Sequence, residues 1–399
     1  MATSLALIML LGLLLNTLFT KLKMPGLLGM LILGVVIGPY GFNLLDAELL
    51  KVSGDFRKIA LIIILLRAGF GISRDTLNKV GSTALKLSCI PGLLEGFTIA
   101  FVSIKLLGFT FIQGGILGFI IAAVSPAVVV PQMLDFTEKG IGTNKGIPTL
   151  ILAGASIDDV FAITIFTTFL GLYSGSHVNI GIQLLNIPIS IILGIVSGLL
   201  LGLLMVHLFK IYHIRDTKKV LLILGSAILL TTLENALKAK IEIASLLGVM
   251  TIGFVILETK PDTAKRLAAK FNKIWIFAEL LLFVLVGAQV NINVALHAGI
   301  QGIVIILIGL IARSIGVIVS TLGTNLNWKE KLFCVIAYIP KATVQAAIGA
   351  IPLSLGVASG DVILATAVLS IIITAPLGAI AIKASSKRLL ETEKVQMES

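Results

Sequence analysis

The sequence predicts an all-α polytopic membrane protein of about thirteen transmembrane helices, arranged as two inverted six-helix repeats with crossing broken helices. Three observations carry that expectation. The chain is 57% hydrophobic and only 13% charged, with a mean hydropathy of +1.09, which is more apolar surface than a soluble domain of 399 residues needs. Its basic residues crowd into alternate connections between apolar stretches. Two of those stretches are interrupted near the middle by proline, at corresponding places in the two halves of the chain.

The apolar stretches run about 3–20, 24–42, 57–73, 81–107, 113–133, 147–173, 180–209, 219–237, 241–257, 272–290, 299–322, 331–355 and 361–384. The first lacks a basic leader and is followed by Lys21-Leu22-Lys23, so it reads as a first spanning helix and not as a cleaved signal peptide. The third carries Arg67 and the ninth is short, which makes these two the weakest spans. Connections are short, and 1–399 reads as a single transmembrane unit with no soluble domain. Cys89 and Cys334 each lie inside an apolar run without metal or redox spacing, and are expected to serve only packing.

Charge placement sets the expected orientation. With the N-terminus outside, the cytoplasmic connections and C-terminus hold the basic residues from Lys21 and Lys23, through Lys139, Lys145, Lys218 and Lys219, to Lys387, Arg388 and Lys394. The opposite connections hold only Lys51, Arg57, Lys58, Lys238 and Lys240. By the positive-inside rule the N-terminus is outside and the C-terminus cytoplasmic. The same asymmetry accounts for the net charge of +11 without nucleic acid as a partner. Trp275, Trp328 and Tyr212 fall at expected inner boundaries, and Tyr40 and Tyr173 at outer ones, as interfacial anchors.

Thirteen spans divide as six, one and six: a first repeat over 3–173, a linking helix over 180–209, a second repeat over 219–384, and a cytoplasmic tail over 385–399. A single linking span inverts the second half relative to the first, the plan of many secondary transporters whose sites form where paired helices break. The fifth span of the first half contains Val124-Ser125-Pro126-Ala127, and that of the second half Ile339-Pro340-Lys341-Ala342. Proline removes a backbone donor and disfavours helix in the residue before it, so Pro126 and Pro340 mark the breaks.

Few charges lie within the spans. Asp158 and Asp159 sit together mid-span, where each carboxylate costs roughly 2.5–3.5 kcal/mol or more to insert. Either they take up protons or a cation sits with them, and a site that alternates between the two is an ion/proton exchanger. Adjacent helical residues point about 100° apart, so one aspartate can face a cavity while the other reaches a polar or basic neighbour. A sodium or lithium ion prefers hard oxygen ligands of this kind, and competition with protons at one carboxylate suffices for exchange if access alternates. Gly154, Ala155 and Ser156 just before the pair allow a crossing helix to approach closely.

Glu95 and Arg313 lie near the middles of the fourth spans of the two halves, so symmetry brings them together beside the breaks. A buried arginine needs a carboxylate, with Glu95 or Asp158 as candidates, either as a structural pair or as a working part. Lys341 is expected to offset the partial negative charge of half-helix C-termini rather than to ligate substrate. Ser125, Thr343 and Gln345 flank the breaks and either ligate a cation or satisfy broken backbone. Arg67 and Glu279 carry no assigned role.

Ala155-Ser-Ile-Asp-Asp-Val160, Ser125-Pro-Ala-Val-Val-Val-Pro131, Leu65-Leu-Arg-Ala-Gly69 and Ile339-Pro-Lys-Ala-Thr-Val-Gln-Ala-Ala347 together resemble the NHA-type sodium/proton antiporters of the cation:proton antiporter superfamily. The resemblance covers essentially the whole chain. It implies a homodimer in which a core domain moves past a dimerisation domain, with ion and proton on Asp159 and Asp158 accessory. It places Arg313 where many relatives carry lysine, with Glu95 as its salt-bridge partner. The chain departs from several branches in having Ser125-Pro126 where they place an acid. Unlike lysine, arginine does not release its proton when buried, which favours one proton per sodium.

The expected function is therefore Na⁺ (or Li⁺)/H⁺ exchange by alternating access, in a multi-pass protein of a bacterial inner membrane. Its partners are inorganic cations, protons, membrane lipid and a second copy of itself, and no cofactor is called for. A K⁺/H⁺ exchanger or a sodium-coupled solute symporter of related fold is the alternative, although 6% aromatic content and few polar residues at the breaks disfavour a solute cavity. Intramembrane proteolysis, the enzymatic reading, needs aspartates from two separate helices and a Gly-x-Gly-Asp pattern, and this chain has neither.

Overall fold

The computed structural model describes residues 1–22, 24–175, 180–237 and 243–392, and is helical throughout apart from short connections and one isolated antiparallel bridge, Ile141 to Thr392. The chain opens with α1 (Ala2–Lys21), α2 (Gly26–Ile37), the short α3 (Ala47–Lys51) and α4 (Ser53–Gly71). α5 (Arg74–Leu107) starts where Ser73 accepts a bond from the Thr76 amide and ends at Gly108, whose φ of 67° suits glycine. α6 (Phe111–Ile121) begins on a Thr110/Gln113 capping box, and α7 (Pro126–Glu138) begins with its proline at the first helical position, where no amide is needed. α8 (Ile147–Tyr173) carries the aspartate pair.

The second half follows through α9 (Ile180–Ile211), α10 (Asp216–Leu237), α11 (Ser245–Thr259), α12 (Pro261–Ala288), the short α13 (Ile292–His297) and α14 (Gly299–Ser320). α15 (Trp328–Ala337) opens on an Asn327/Glu330 capping box, and Lys145 is 2.9 Å from the same Glu330 carboxylate. After the second break come α16 (Thr343–Ile348), α17 (Ile351–Ser354) and α18 (Gly360–Leu389). Every one of the thirteen apolar stretches meets a helix or a broken pair. Counting α6 and α7 together, eight among the described residues have the length and composition to cross a membrane. The twelve residues of α2 rise only about 18 Å, well short of a ~30 Å hydrocarbon core.

Two groups of helices pack around the breaks. α2 and α4 lie against α12, and α4 against α11, which also packs on α9. α5 lies against α14, α8 and α6. Backbone touches backbone in the first group. A Cβ on Gly34 would sit 2.1 Å from the Val284 carbonyl, and one on Gly287 2.2 Å from that of Leu31. The α4–α11 crossing repeats the device: a Cβ on Gly69 would sit 2.1 Å from the Met250 carbonyl and one on Gly253 2.7 Å from that of Leu66. Leu27–Ile37 and Leu246–Ile256 share six of eleven residues, including both glycines of each segment, a repeat the motif reading overlooked.

Several boundary assignments shift. Tyr40, Tyr212 and Trp328 are exposed, but Trp275 is 6% exposed beneath the Arg67 guanidinium, whose carbon lies 5.5 Å from the ring centroid, so it is no interfacial anchor. Arg67 also donates to Asn272 Oδ1 at 2.6 Å, which gives it a partner on α12. Glu279, one turn beyond Trp275, makes no hydrogen bond or ion pair among the described residues. The Tyr173 hydroxyl accepts from the Ala358 amide at 2.8 Å, a tertiary contact. α18 continues to Leu389, past the residue 385 at which the tail is expected to begin, and Gly142 donates to the Glu391 carbonyl at 2.7 Å. Lys23, Lys238, Lys240 and Lys394 lie outside the described residues.

Glycine crossings of this kind leave no room for a methyl group, because the opposing atoms are backbone. Gly34→Ala should lower the melting temperature of the purified protein. Gly81→Ala, whose Cβ meets nothing within 4 Å inside α5, should keep or raise it. Thermal unfolding of the two variants in the same detergent checks the difference.

Candidate functional site

The two breaks cross and bond to each other: the Ser125 amide donates to the Pro340 carbonyl at 2.8 Å. α6 therefore ends, and α7 begins, against the unwound stretch between α15 and α16. Gly378 on α18 makes space for this crossing, since a Cβ there would lie 2.5 Å from Pro340 Cγ. The Lys341 amide, freed by the break, donates to Thr374 Oγ1 at 2.9 Å.

Four charges converge beside the crossing, all at most 1% exposed: Glu95 on α5, Asp158 on α8, Arg313 on α14 and Lys341 after Pro340. Arg313 donates from one guanidinium nitrogen to Glu95 Oε2 at 2.8 Å and from another to Asp158 Oδ2 at 3.0 Å. The same Asp158 oxygen accepts the Val124 amide at 2.7 Å, and Lys341 Nζ lies 2.6 Å from Glu95 Oε2. Both carboxylate candidates for Arg313 thus hold it at once. Two positive and two negative charges close on each other, and mutual pairing is what makes ions in so dry a place tolerable.

The carbonyl end of α6 is met by other groups than expected. Arg313 donates to the Ala122 carbonyl, and Gln345 Nε2 donates to the carbonyls of Ile120, Ile121 and Ala123 at 3.0, 3.2 and 3.0 Å. Lys341 instead gives its charge to Glu95. Of the polar residues flanking the breaks, Gln345 satisfies broken backbone, while Ser125 Oγ and Thr343 Oγ1 are buried without a hydrogen-bond partner.

Asp159 stands apart from this closed set. It makes no ion pair among the described residues, and its Oδ1 is buried with no hydrogen-bond partner. It lines a cavity of about 510 Å³ together with Ser156, Val160 and Thr343, and the cavity runs past Leu61 to Arg57 and Lys58 at the start of α4. A carboxylate and a hydroxyl with a free oxygen facing one cavity make a donor set that suits a hard monovalent cation. On the other side of the molecule a smaller cavity of about 190 Å³ lies among Arg67, Leu134, Glu138 and Asn272, and does not reach Asp159.

Tyr338 was not singled out from the sequence. Its ring centroid is 5.3 Å from the Arg313 guanidinium carbon, a cation–π contact, and its hydroxyl fills the space a Cβ on Gly154 would take, 2.1 Å away. Its place two residues before Pro340 was the available signal. Gly92 likewise leaves room for Asp158 Oδ1, 3.4 Å from a Cβ built there.

Removing one member of a buried pair strands the other, at a cost of about 3–5 kcal/mol. Glu95→Gln leaves Lys341 and Arg313 sharing a single carboxylate and should lower thermal stability sharply. Glu95→Gln combined with Arg313→Gln should recover part of that loss, a non-additivity that a double-mutant cycle of melting temperatures measures.

Residues 5–387 match the protein-family model described as sodium/hydrogen exchanger, transmembrane. Sodium/hydrogen exchanger 9B2 of Homo sapiens is 34% identical over 386 residues, covering 92% of this chain and 70% of that protein. Sodium/hydrogen exchanger 9B1 of Homo sapiens is 34% identical over 375 residues, covering 90% and 71%. The structure of the sodium proton antiporter MjNhaP1 from Methanocaldococcus jannaschii at pH 8 superposes with a TM-score of 0.77 over 96% of this chain and 97% of that one; at 22% identity it shows a shared fold. The chain belongs to the sodium/hydrogen exchanger family, multi-pass membrane transporters that exchange cations for protons.

Proposed function

We propose that this chain exchanges Na⁺ or Li⁺ for H⁺ by alternating access, with cation and proton competing for the carboxylate of Asp159. The observation that carries this reading is the charge count at the breaks. Arg313, Lys341, Glu95 and Asp158 balance one another, and Asp159 is left facing the 510 Å³ cavity with an unpartnered oxygen. A carboxylate at membrane depth without a fixed counter-ion is stabilised by a proton or by a metal cation, and the two compete for it. Thr343, which lines the same cavity, supplies a neutral oxygen, and the free hydroxyl of Ser125 at the first break is a second candidate. Asp158 is the accessory acid, held by Arg313 and the Val124 amide.

Alternating access is supported by the asymmetry of the cavities. The larger one reaches Asp159 from the Arg57–Lys58 end, which the positive-inside pattern puts outside, and the 190 Å³ cavity opposite it stops short. The repeated glycine crossings of α2 on α12 and α11 on α4 support two inverted halves, 3–173 and 219–384, linked by 180–209. In this reading the N-terminus is outside, the C-terminus is cytoplasmic, the membrane is the bacterial inner membrane and the working form is a homodimer. Arg313 keeps its proton throughout, and Lys341 is tied to Glu95 at 2.6 Å, so the exchanged proton is the one on Asp159 alone. The stoichiometry proposed is one proton per sodium.

In vesicles carrying a pH-sensitive dye, addition of Na⁺ or Li⁺ should collapse an imposed proton gradient, and Asp159→Asn should abolish the response. Unchanged exchange in that variant would sink the assignment. Because the proton is the competitor, the apparent KM for Na⁺ should fall as pH rises, by about tenfold per pH unit while the site is mostly protonated. Rates should not depend on membrane potential, and a transport current in proteoliposomes would contradict the one-for-one exchange.

A further inference from the structure

The Tyr338 hydroxyl is a buried group that cation exchange, as derived above, does not use. The side chain is 0% exposed and its oxygen has no hydrogen-bond partner among the described residues. The contact with Arg313 is made by the ring, which phenylalanine would also supply. No bond accounts for the hydroxyl, but its volume has a match. Gly154 of α8 leaves the notch in which it sits: a Cβ on Gly154 would collide with the oxygen, while the next atom, Leu87 Cβ, stands 3.2 Å from that position. A tyrosine turns about only two side-chain torsions, and this one is packed on all sides, so the hydroxyl cannot swing out of the notch cheaply.

Both ends of this contact lead to the ion site. Gly154 is one turn before Asp158 on the same face of α8, and the helix runs unbroken through Asp159. Tyr338 stands at the start of the unwound stretch, which is anchored where the Pro340 carbonyl accepts the Ser125 amide and where the Lys341 amide donates to Thr374, and which ends at Thr343. Asp159 and Thr343 line one cavity, and each has a buried side-chain oxygen without a partner. A spacer between α8 and the second break therefore bears on the distance between these two oxygens.

We propose that Tyr338 and Gly154 are specificity-determining positions: the hydroxyl seated in the glycine notch sets how closely α8 approaches the second break, and with it the spacing of the Asp159 and Thr343 oxygens around the cation. The inference rests on the reading of Asp159 as the ion site. Li⁺ is smaller than Na⁺ and needs its oxygens closer, so a change in that spacing moves the two affinities apart. Neither residue touches the cation; both act by positioning those that do.

The test is the ratio of the apparent KM for Li⁺ to that for Na⁺, measured in proteoliposomes with a pH-sensitive dye. Tyr338→Phe empties the notch and lets α8 settle toward the break, so the ratio should fall at least about twofold. Gly154→Ala adds a methyl group to a filled notch and holds α8 off, so the ratio should rise at least about threefold. Combined, the two substitutions exchange one filler for another, and the ratio should return to within about 1.5-fold of wild type. If Gly154→Ala alone does not fold, Tyr338→Phe and the combined variant carry the test. An unchanged ratio in Tyr338→Phe overturns the proposal, even if its melting temperature shifts, because that is what a purely structural contact would do. A combined variant that keeps the ratio of Tyr338→Phe overturns it as well. Asp159→Asn separates the two readings. Exchange lost there, with the ratio unmoved in Tyr338→Phe, removes the spacer and leaves the ion site; exchange retained there overturns the ion-site reading and the spacer with it.

Discussion

The interaction on which the rest of the structure depends is the closed pairing of Arg313 and Lys341 with Glu95 and Asp158. These ions are at most 1% exposed and come from four separate segments, α5, α8, α14 and the unwound stretch after Pro340. Each would be prohibitive alone in a membrane interior. Together they neutralise one another, pull two halves of the chain into one cluster and use up the positive charge available near the breaks. The consequence falls on their neighbour. Asp159 has no ion-pair partner among the described residues, and on the reading proposed above its charge is met by an exchanged proton or cation.

The helix breaks make that cluster possible. A continuous helix would have its carbonyls satisfied internally and no reason to meet Arg313. Because α6 stops at Ile121, its last carbonyls need donors, and Arg313 and Gln345 provide them. Because α15 and α16 are separated, Lys341 can turn its ammonium to Glu95 while its amide bonds to Thr374. The breaks are tied through the backbone by the Ser125 amide and the Pro340 carbonyl, and through the Gln345 side chain to the end of α6, so the site is carried by a crossing whose two segments depend on each other. The glycine crossings of α2, α4, α11 and α12 form a different kind of surface, backbone on backbone, against which the cavity-lining end of α4 is set.

Much of this was legible in the residues. Fold class followed from composition, since an apolar chain of this length has no soluble solution, and the breaks followed from Pro126 and Pro340. The Glu95–Arg313 approach was readable from their matching places in the two halves. What stayed hidden depended on three-dimensional direction. Whether Lys341 turned to carbonyls or to Glu95, and whether Gln345 faced a cation or the end of α6, is decided by rotamers and by which helix lies opposite, which spacing does not encode. Trp275 looked like an interfacial anchor because aromatic residues at a span's end usually are; its burial under Arg67 reflects a partner on α4, more than two hundred residues away in sequence. The repeat of Leu27–Ile37 in Leu246–Ile256 was visible and overlooked, since apolar segments invite comparison only when their glycines are aligned first.

The central claim is that one carboxylate, Asp159, trades a proton for a cation. It is tested most directly without any membrane gradient, by following pH in a weakly buffered solution of the purified protein as salt is added. NaCl or LiCl should release about one proton per chain at a pH where the site is protonated, choline chloride none, and Asp159→Asn none with either salt. Proton release of undiminished size from Asp159→Asn, with the protein folded, would contradict the account.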